Sequence, residues 1–493
     1  MRHHAPLVIS FCVTCWAICA VLSPCSGQIT FERTYGGINS DRGYAVEQTP
    51  DGGYIVVGQT LSFGVGGLDV YVVRTDSFGN TVWAATLGGS GDDVGRCVCE
   101  TGDGGYIVTG STESTGAGSL DVYLAKIDSL GNPIWESTYG GSGADWGGCV
   151  RQTSDGGYII AGYTSSFGSG AKDLYMVKTD SLGGVIWDVI YGGPLDDWGY
   201  SVQQTLDGGY IAVGATESSG AGSLDVYIVR TDYLGDSLWS TTYGGLSNDA
   251  GHCVQETQDG DYVIAGFIDP LSGSDYDILL MKIDSSGSTV WSTTHGGIYA
   301  EWGYWVTETQ DGGYAVAGMT WSFGAGWTDV YLVKTDSLGQ LLWGRTYGGS
   351  AFDWGFCVCQ TSDGGYIVSG HTPSFGAGES DVYLIKTDEN GLTGIEEASR
   401  EPSVSRRLFR LRQNTPNPIH QATLISYSLP HTAHITLSIY DITGRLVETL
   451  VNETQQRGVH QVQWNRKANP SGVYFYRLNA GEFVETRKMV VVE

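Results

Sequence analysis

Residues 35–86 read YGGINSDRGYAVEQTPDGGYIVVGQTLSFGVGGLDVYVVRTDSFGNTVWAAT. Four short runs rich in Val, Ile, Tyr and Thr stand out: GYAVEQT (43–49), GYIVVGQT (53–60), DVYVVRT (69–75) and TVWAATL (81–87). PDGG, LSFGVGGL and DSFGN separate them, and GGSGDDVG follows at 88–95. Gly, Asp, Ser and Asn there supply turns, so each run reads as a β-strand. The opening motif returns at Tyr35, Leu87, Tyr139, Tyr191, Tyr243, His295 and Tyr347, always followed by Gly-Gly and always at an interval of 52 residues. Four strands at this period are the blade of a β-propeller. The seventh unit has only three strands, because after Asp388 it runs into ENGLTGIEEAS, which carries no Trp strand. The missing strand stands before the first unit. Ile29–Thr34 places Phe31 where the other fourth strands have Trp83, Trp135, Trp187, Trp239, Trp291 and Trp343. Joining first blade to last removes the open sheet edge. The expectation is an all-β chain with a seven-bladed β-propeller over 28–391, its N-terminal strand closing the last blade.

Composition sets limits on the rest. The chain has 493 residues, 74 of them Gly, with 41 % hydrophobic residues and a net charge of -28. That apolar content supplies a core, and Gly is not at every third position, so disorder and collagen are excluded. The only basic stretch is 400–493, with 12 Lys/Arg against 7 Asp/Glu, so the acidity belongs to the repeats. Such a surface repels nucleic acid and anionic lipid and attracts cations. Residues 1–27, a short polar start followed by the apolar run Pro6–Leu22 and Ser-Pro-Cys-Ser-Gly, read as a signal peptide cleaved after Gly27. Pro24 before Cys25 disfavours a lipoprotein site. No later stretch is long and apolar enough to span a bilayer.

After a polar linker, 392–410, the period is lost. Residues 411–493 read as a small antiparallel β-sandwich of alternating strands: ATLISYSL, HITLSIYDI, GVHQVQW, GVYFYRL and TRKMVVV. NTPNP (414–418), IYDITGRLV (439–447), GVHQVQW (458–464), SGVYFYRL (471–478) and TRKM (486–489) follow one another in an order that strongly resembles the C-terminal sorting domain of the type IX secretion system. The resemblance implies export across the outer membrane by that machinery, to the cell surface or the medium. Within the blades, DSLGNPIW (128–135), preceded by Lys126, resembles the tryptophan-docking segment of quinoprotein-like propellers, also met in short propeller repeats of secreted bacterial proteins. There an Asp, a Gly and a Trp lock neighbouring blades. The resemblance implies the fold and no activity. Catalytic quinoproteins need a vicinal Cys pair, and this chain has no Cys-Cys.

Internal repetition sorts the polar residues. Asp69, Asp121, Asp173, Asp225, Asp277, Asp329 and Asp381 open the third strands, and Arg74, Lys126, Lys178, Arg230, Lys282, Lys334 and Lys386 lie near their ends. Filled alike in every blade, they read as structural. The loop after YGG also carries an acid each time: Asp41, Asp93, Asp145, Asp197, Asp249, Glu301 and Asp353. Its next residue varies and is Trp at Trp146, Trp198, Trp302 and Trp354. These acids and tryptophans are the candidate ligand-binding residues, on a face shared with the Gly-rich loops, Phe63, Phe167, Phe323 and Phe375, and in the sixth blade Trp321 and Trp327. Aromatic rings beside carboxylates suit sugars, and carboxylate oxygens suit Ca²⁺. Equally, the acids can cap strands and the Trp can pack between blades. Cys97, Cys99, Cys149, Cys253, Cys357 and Cys359 all fall on first strands, as small buried residues or, export permitting, as disulfides. His252, His295 and His371 form no triad, and paired catalytic carboxylates cannot be singled out. The expectation is therefore a non-catalytic, exported binding or adhesion protein with no cofactor, save possible use of Ca²⁺. Its partners would be the type IX machinery and a glycan, extracellular polymer or protein ligand. The alternatives are a polysaccharide hydrolase or lyase and a structural surface component.

Overall fold

A computed structural model describes residues 28–269, 276–394, 410–411, 413–414, 416–429, 432–456, 458–466, 470–480 and 483–492. The expected signal peptide 1–27 and most of the linker lie outside the described residues, as does part of the fifth Gly-rich loop.

Seven four-stranded antiparallel sheets follow the repeat. The first consists of β2 (Asp41–Gln48), β3 (Tyr54–Thr60), β4 (Asp69–Thr75) and β5 (Thr81–Leu87). The pattern recurs through β6 (Asp93–Glu100), β10 (Asp145–Gln152), β14 (Asp197–Gln204), β18 (Ala250–Glu256) and β22 (Glu301–Glu308), each with its three followers. The last sheet has the order β1-β28-β27-β26, where β1 is Phe31–Tyr35, β26 Trp354–Gln360, β27 Tyr366–Thr372 and β28 Asp381–Thr387. The N-terminal strand thus closes the ring as the sequence requires. Phe31 pairs with Lys386 in the register that sets Trp83 opposite Arg74. The first strands contact one another around the centre. Second and third strands are buried along almost their whole length, because neighbouring blades cover both faces. That is why they read as near-continuous apolar runs. The fourth strand is the outer, half-exposed one.

The blades are locked in two recurring ways. Each fourth-strand aromatic lies on the glycine of the next blade's Asp-Ser turn: a Cβ at Gly131 would sit 2.8 Å from the Trp83 ring, and Gly183, Gly235, Gly287, Gly339 and Gly391 face Trp135, Trp187, Trp239, Trp291 and Trp343 in the same way. The indole N–H of Trp83 also donates to the Ser129 carbonyl at 3.1 Å. Each third-strand cation is nearly buried and meets the exposed Asp of its own blade's DGG turn, as in Lys126–Asp103 at 3.0 Å and Lys386–Asp363 at 3.0 Å. The Thr101 hydroxyl, together with Lys126, holds the Asp103 carboxyl down at about 2.

The tail forms two sheets, β29-β30-β33 and β32-β31-β34-β35, around one core that includes Trp464, Tyr427 and Tyr476. β30 (Ala422–Leu429), β31 (Ala433–Asp441), β33 (Gly458–Asn465), β34 (Gly472–Ala480) and β35 (Phe483–Val491) match the five strands read from the sequence. β32 (Leu446–Gln455) and the short β29 (Arg410–Leu411) are additional. β32 is a mostly exposed edge strand whose register against β31 shifts twice, so it lacks the alternation that reveals a strand.

Candidate functional site

The loop after YGG and the Gly-rich loop lie together on one face of the ring, as the strand order predicts. The seven acids are what joins them. Each of Asp41, Asp93, Asp145, Asp197, Asp249, Glu301 and Asp353 is fully buried and accepts the backbone N–H of the second YGG glycine, from 2.6 Å for Gly297 on Glu301 to 2.8 Å for Gly141 on Asp145. In five blades a Ser hydroxyl from the same blade's Gly-rich loop adds a second bond, as Ser62 Oγ to Asp41 at 2.7 Å and Ser114 Oγ to Asp93 at 2.6 Å; in the fifth the Asp269 N–H donates to Asp249 at 2.9 Å, and in the sixth the Ser322 N–H donates to Glu301 at 3.1 Å. Five of them open a strand, and Asp249 and Asp353 stand one residue before one, rather than in an open loop. One carboxylate oxygen of each serves the chain itself, while the second oxygen of Asp93, Asp197 and Asp353 is buried without a partner; capping N–H groups out of reach of water is the physical reason for an acid in every blade. Beside each lies the acid that opens the preceding blade's third strand. Gly36 is packed between Asp381 and Asp41, and Gly348 between Asp329 and Asp353. Burial, then the facing Asp93, raises Asp69. Burial pushes Glu301 up to about 7 against bonds from Ser322, Gly297 and Thr320, and Asp277 adds to the rise. Among the described residues, no group of three or more His, Cys, Asp or Glu is arranged to hold a metal ion.

Trp146, Trp198, Trp302 and Trp354 are half-buried between blades. Trp146 stacks on Tyr163 with centroids 5.6 Å apart, Trp302 stacks on Phe267 at 5.0 Å, Lys172 lies 5.2 Å over Trp198, and Trp354 Nε1 donates to Thr328 Oγ1 at 3.0 Å. Phe63, Phe167, Phe323 and Phe375 pack on the third-strand tyrosine of their own blade.

A feature the sequence reading missed lies at the axis. Every first strand carries a β-bulge, seen in the first blade as a register shift between Gly43 and Ala45. The extra residue is re-aimed by the bulge. Its ring is Tyr44, Arg96, Gly148, Tyr200, His252, Tyr304 and Phe356. These side chains form a closed belt. Tyr44–Phe356, Phe356–Tyr304, Tyr304–His252 and His252–Tyr200 have centroids 5.1, 5.0, 5.1 and 5.2 Å apart. Trp146 bridges from Tyr200 across Gly148, and Arg96 returns to Tyr44 with its guanidinium carbon 4.2 Å from the ring centre. Burial holds His252 down at about 4, so it is neutral, its Nδ1 2.8 Å from the Gly303 carbonyl. The recurrence of aromatics three residues after the acid was the available signal.

A second feature breaks the sevenfold pattern; the sequence singles out its Trp321 and Trp327 but not Phe352. Trp321, Trp327 and Phe352 are exposed at 44 %, 66 % and 43 %. Trp327 stacks on Phe352 at 5.9 Å and Trp321 meets Phe352 edge-on at 6.4 Å. The residues 52 positions away are Asp269 for Trp321, Glu379 for Trp327 and Ala300 for Phe352, and none of the eighteen equivalents is aromatic.

The fold and the tail together define a class: an exported all-β protein whose propeller is joined to a sorting domain. Residues 415–492 match the secretion system C-terminal sorting domain. That domain marks proteins exported by type IX secretion to the cell surface or the medium, and this chain is one of them. Compared by sequence with curated proteins, the chain finds no match. Among solved structures it is similar to PorZ, an essential bacterial surface component of the type IX secretion system of Porphyromonas gingivalis, at 12 % identity and a TM-score of 0.42, covering 90 % of this chain and 59 % of that one. The chain therefore spans less than two thirds of that relative's length. It is also similar to the Neurospora crassa Pan2 WD40 domain (12 % identity, TM-score 0.43, 73 % of this chain and 100 % of that one) and to Sqt1 from Chaetomium thermophilum (11 %, 0.41, 74 % and 88 %).

Proposed function

We propose that this exported propeller is a non-catalytic binding protein that captures a glycan of an extracellular polymer on the loop face of its sixth and seventh blades. The observation that carries the reading is the exposed trio Trp321, Trp327 and Phe352 at positions where every other blade has a small, polar or non-aromatic residue. A residue repeated in all blades serves the blade; one that departs from the repeat at a cost in exposed apolar surface serves something else. Flat ring faces beside peptide and hydroxyl groups suit the apolar face of a neutral sugar ring. The acidic surface disfavours an anionic polymer. The test is a screen of the exported full-length chain against immobilised polysaccharides, with reducing-end release read in the same wells. Capture that is lost in the Trp321→Ala/Trp327→Ala double variant supports the reading. Release of sugar favours the hydrolase or lyase, and capture of no polysaccharide overturns the glycan assignment.

A further inference from the structure

The residue after each bulge also forms a ring: Ala45, Cys97, Cys149, Ser201, Cys253, Trp305 and Cys357. Four of the seven are thiols, each reaching the innermost strand of the next blade, as Cys97 Sγ to the Val150 carbonyl at 3.7 Å and Cys253 Sγ to that of Val306 at 3.7 Å. Two of them do more. Cys97 and Cys149, from neighbouring blades, have their sulfur atoms 3.8 Å apart and are 1 % and 0 % exposed. Arg151 Nη1 lies 3.4 Å from Cys97 Sγ, and its guanidinium lies 5.2 Å over the Trp305 ring, beside an axial cavity of about 170 Å³.

We propose that Cys97 and Cys149 are joined in the exported protein as a disulfide that staples the second blade to the third. The sulfurs are in contact before any bond exists, and closing from 3.8 Å to a bond of about 2.05 Å is a small movement of two side chains. Cys357 and Cys359 also interact, but they stand two apart on one strand, about 6.6 Å along it, with Cβ atoms beyond the usual disulfide separation. The attacking species is the thiolate. The route supplies the oxidant, since an exported chain crosses a compartment where dithiol–disulfide exchange keeps thiols oxidised. The Cys149 thiolate attacks the disulfide of such an oxidant and forms a mixed disulfide. The Cys97 thiolate then attacks Cys149 Sγ and releases the oxidant as a dithiol. Two S–H bonds are lost, one S–S bond forms, and both electrons and both protons end on the oxidant. Because both sulfurs are buried in the closed ring, exchange takes place before these blades seal.

The experiment is a peptide map of the full chain recovered from the producing cells' surface or medium, alkylated in denaturant without reductant. A peptide containing Cys97 linked to one containing Cys149, released by reductant, is the expected result. Both cysteines recovered in alkylated form overturn the proposal, as does a bridge from either of them to Cys253 or Cys357. A Cys97→Ser variant should melt several degrees lower, and reductant should lower the parent by a similar amount while leaving the variant unchanged. Equal responses to reductant in the two would count against the bridge.

Discussion

Phe31 lies against Gly79: a Cβ built on that glycine would come within 2.8 Å of the Phe31 ring. This contact, with the Tyr35 hydroxyl on the Gly79 carbonyl at 2.7 Å, joins the last blade, through its N-terminal strand, to the first. It repeats the packing of Trp83 on Gly131 and of Trp343 on Gly391, so the ring is closed by the same device that builds it. Phe31 is buried and also meets Tyr54 edge-on at 6.0 Å.

Phe31→Ala should therefore destabilise the propeller by about 3 kcal/mol, the usual cost of emptying a buried aromatic site. Phe31→Trp should be tolerated, because six equivalent positions hold Trp on the same backbone. Gly79→Ala should be as harmful as Phe31→Ala, since its φ of +76° disfavours a side chain and the ring blocks one. Denaturant midpoints of the three variants check this. Equal loss in Phe31→Ala and Phe31→Trp would contradict the docking role.

Glu301 makes stability depend on pH. Its folded value of about 7 lies above the ordinary 4.5 because of burial. The folded protein then holds more protons than the unfolded chain between pH 4.5 and 7, so stability contributed by this group is present below that window and falls as pH rises through it. The fall amounts to about 3 kcal/mol. Carboxyls held low, such as Asp103 at about 2, act in the opposite sense but at lower pH. Glu301→Gln should flatten the decline between pH 4.5 and 7. Parallel stability curves for parent and variant would show that the carboxyl does not titrate there.

Trp305 closes the axis. Half-buried, it packs against four separate groups of core residues drawn from different blades, and it carries the Arg151 guanidinium on its face. The first blade has Ala45 at the same position, so the backbone accepts a small residue there. Trp305→Ala should keep the fold but lose about 2–4 kcal/mol to the enlarged cavity. Urea unfolding would measure it. A loss below about 0.5 kcal/mol would mean that the indole adds no packing of consequence.

What the sequence revealed and what it hid have the same cause. The period, the strand count, the closing strand and the Trp–Gly dock are legible because each recurs in register, and repetition exposes any residue the blade needs. The pairing of Lys126 and its equivalents with a carboxylate was readable for the same reason. The bulge at Tyr44 was not, because one extra residue changes which way a side chain points without changing composition. The strand start reads two residues late: Asp41 reads as loop between Ser and Arg, yet it is the first residue of β2 and fully buried. The sequence shows Trp321 and Trp327 as additions to one blade. Phe352 completes them from the next blade, and only the fold brings a residue 25 positions beyond Trp327 onto its face.

The acid row and the aromatic trio answer to opposite tests. Asp145 accepts bonds from the Gly141 N–H, the Ser166 hydroxyl at 2.6 Å and the Thr164 hydroxyl, and it faces no solvent. Asp145→Ala should orphan those donors and lower stability by about 2 kcal/mol, with the folded fraction still capturing polysaccharide at the parental affinity. Trp327 is two-thirds exposed and its backbone N–H, not its ring, makes the loop's bond to Ala351. Trp327→Ala should change the melting temperature little and weaken capture tenfold or more, which is about 1.4 kcal/mol of binding. Melting and binding measured on the same two preparations separate the roles. Weakened affinity in Asp145→Ala, with binding intact in Trp327→Ala, would return the ligand to the acidic row and remove it from the exposed rings.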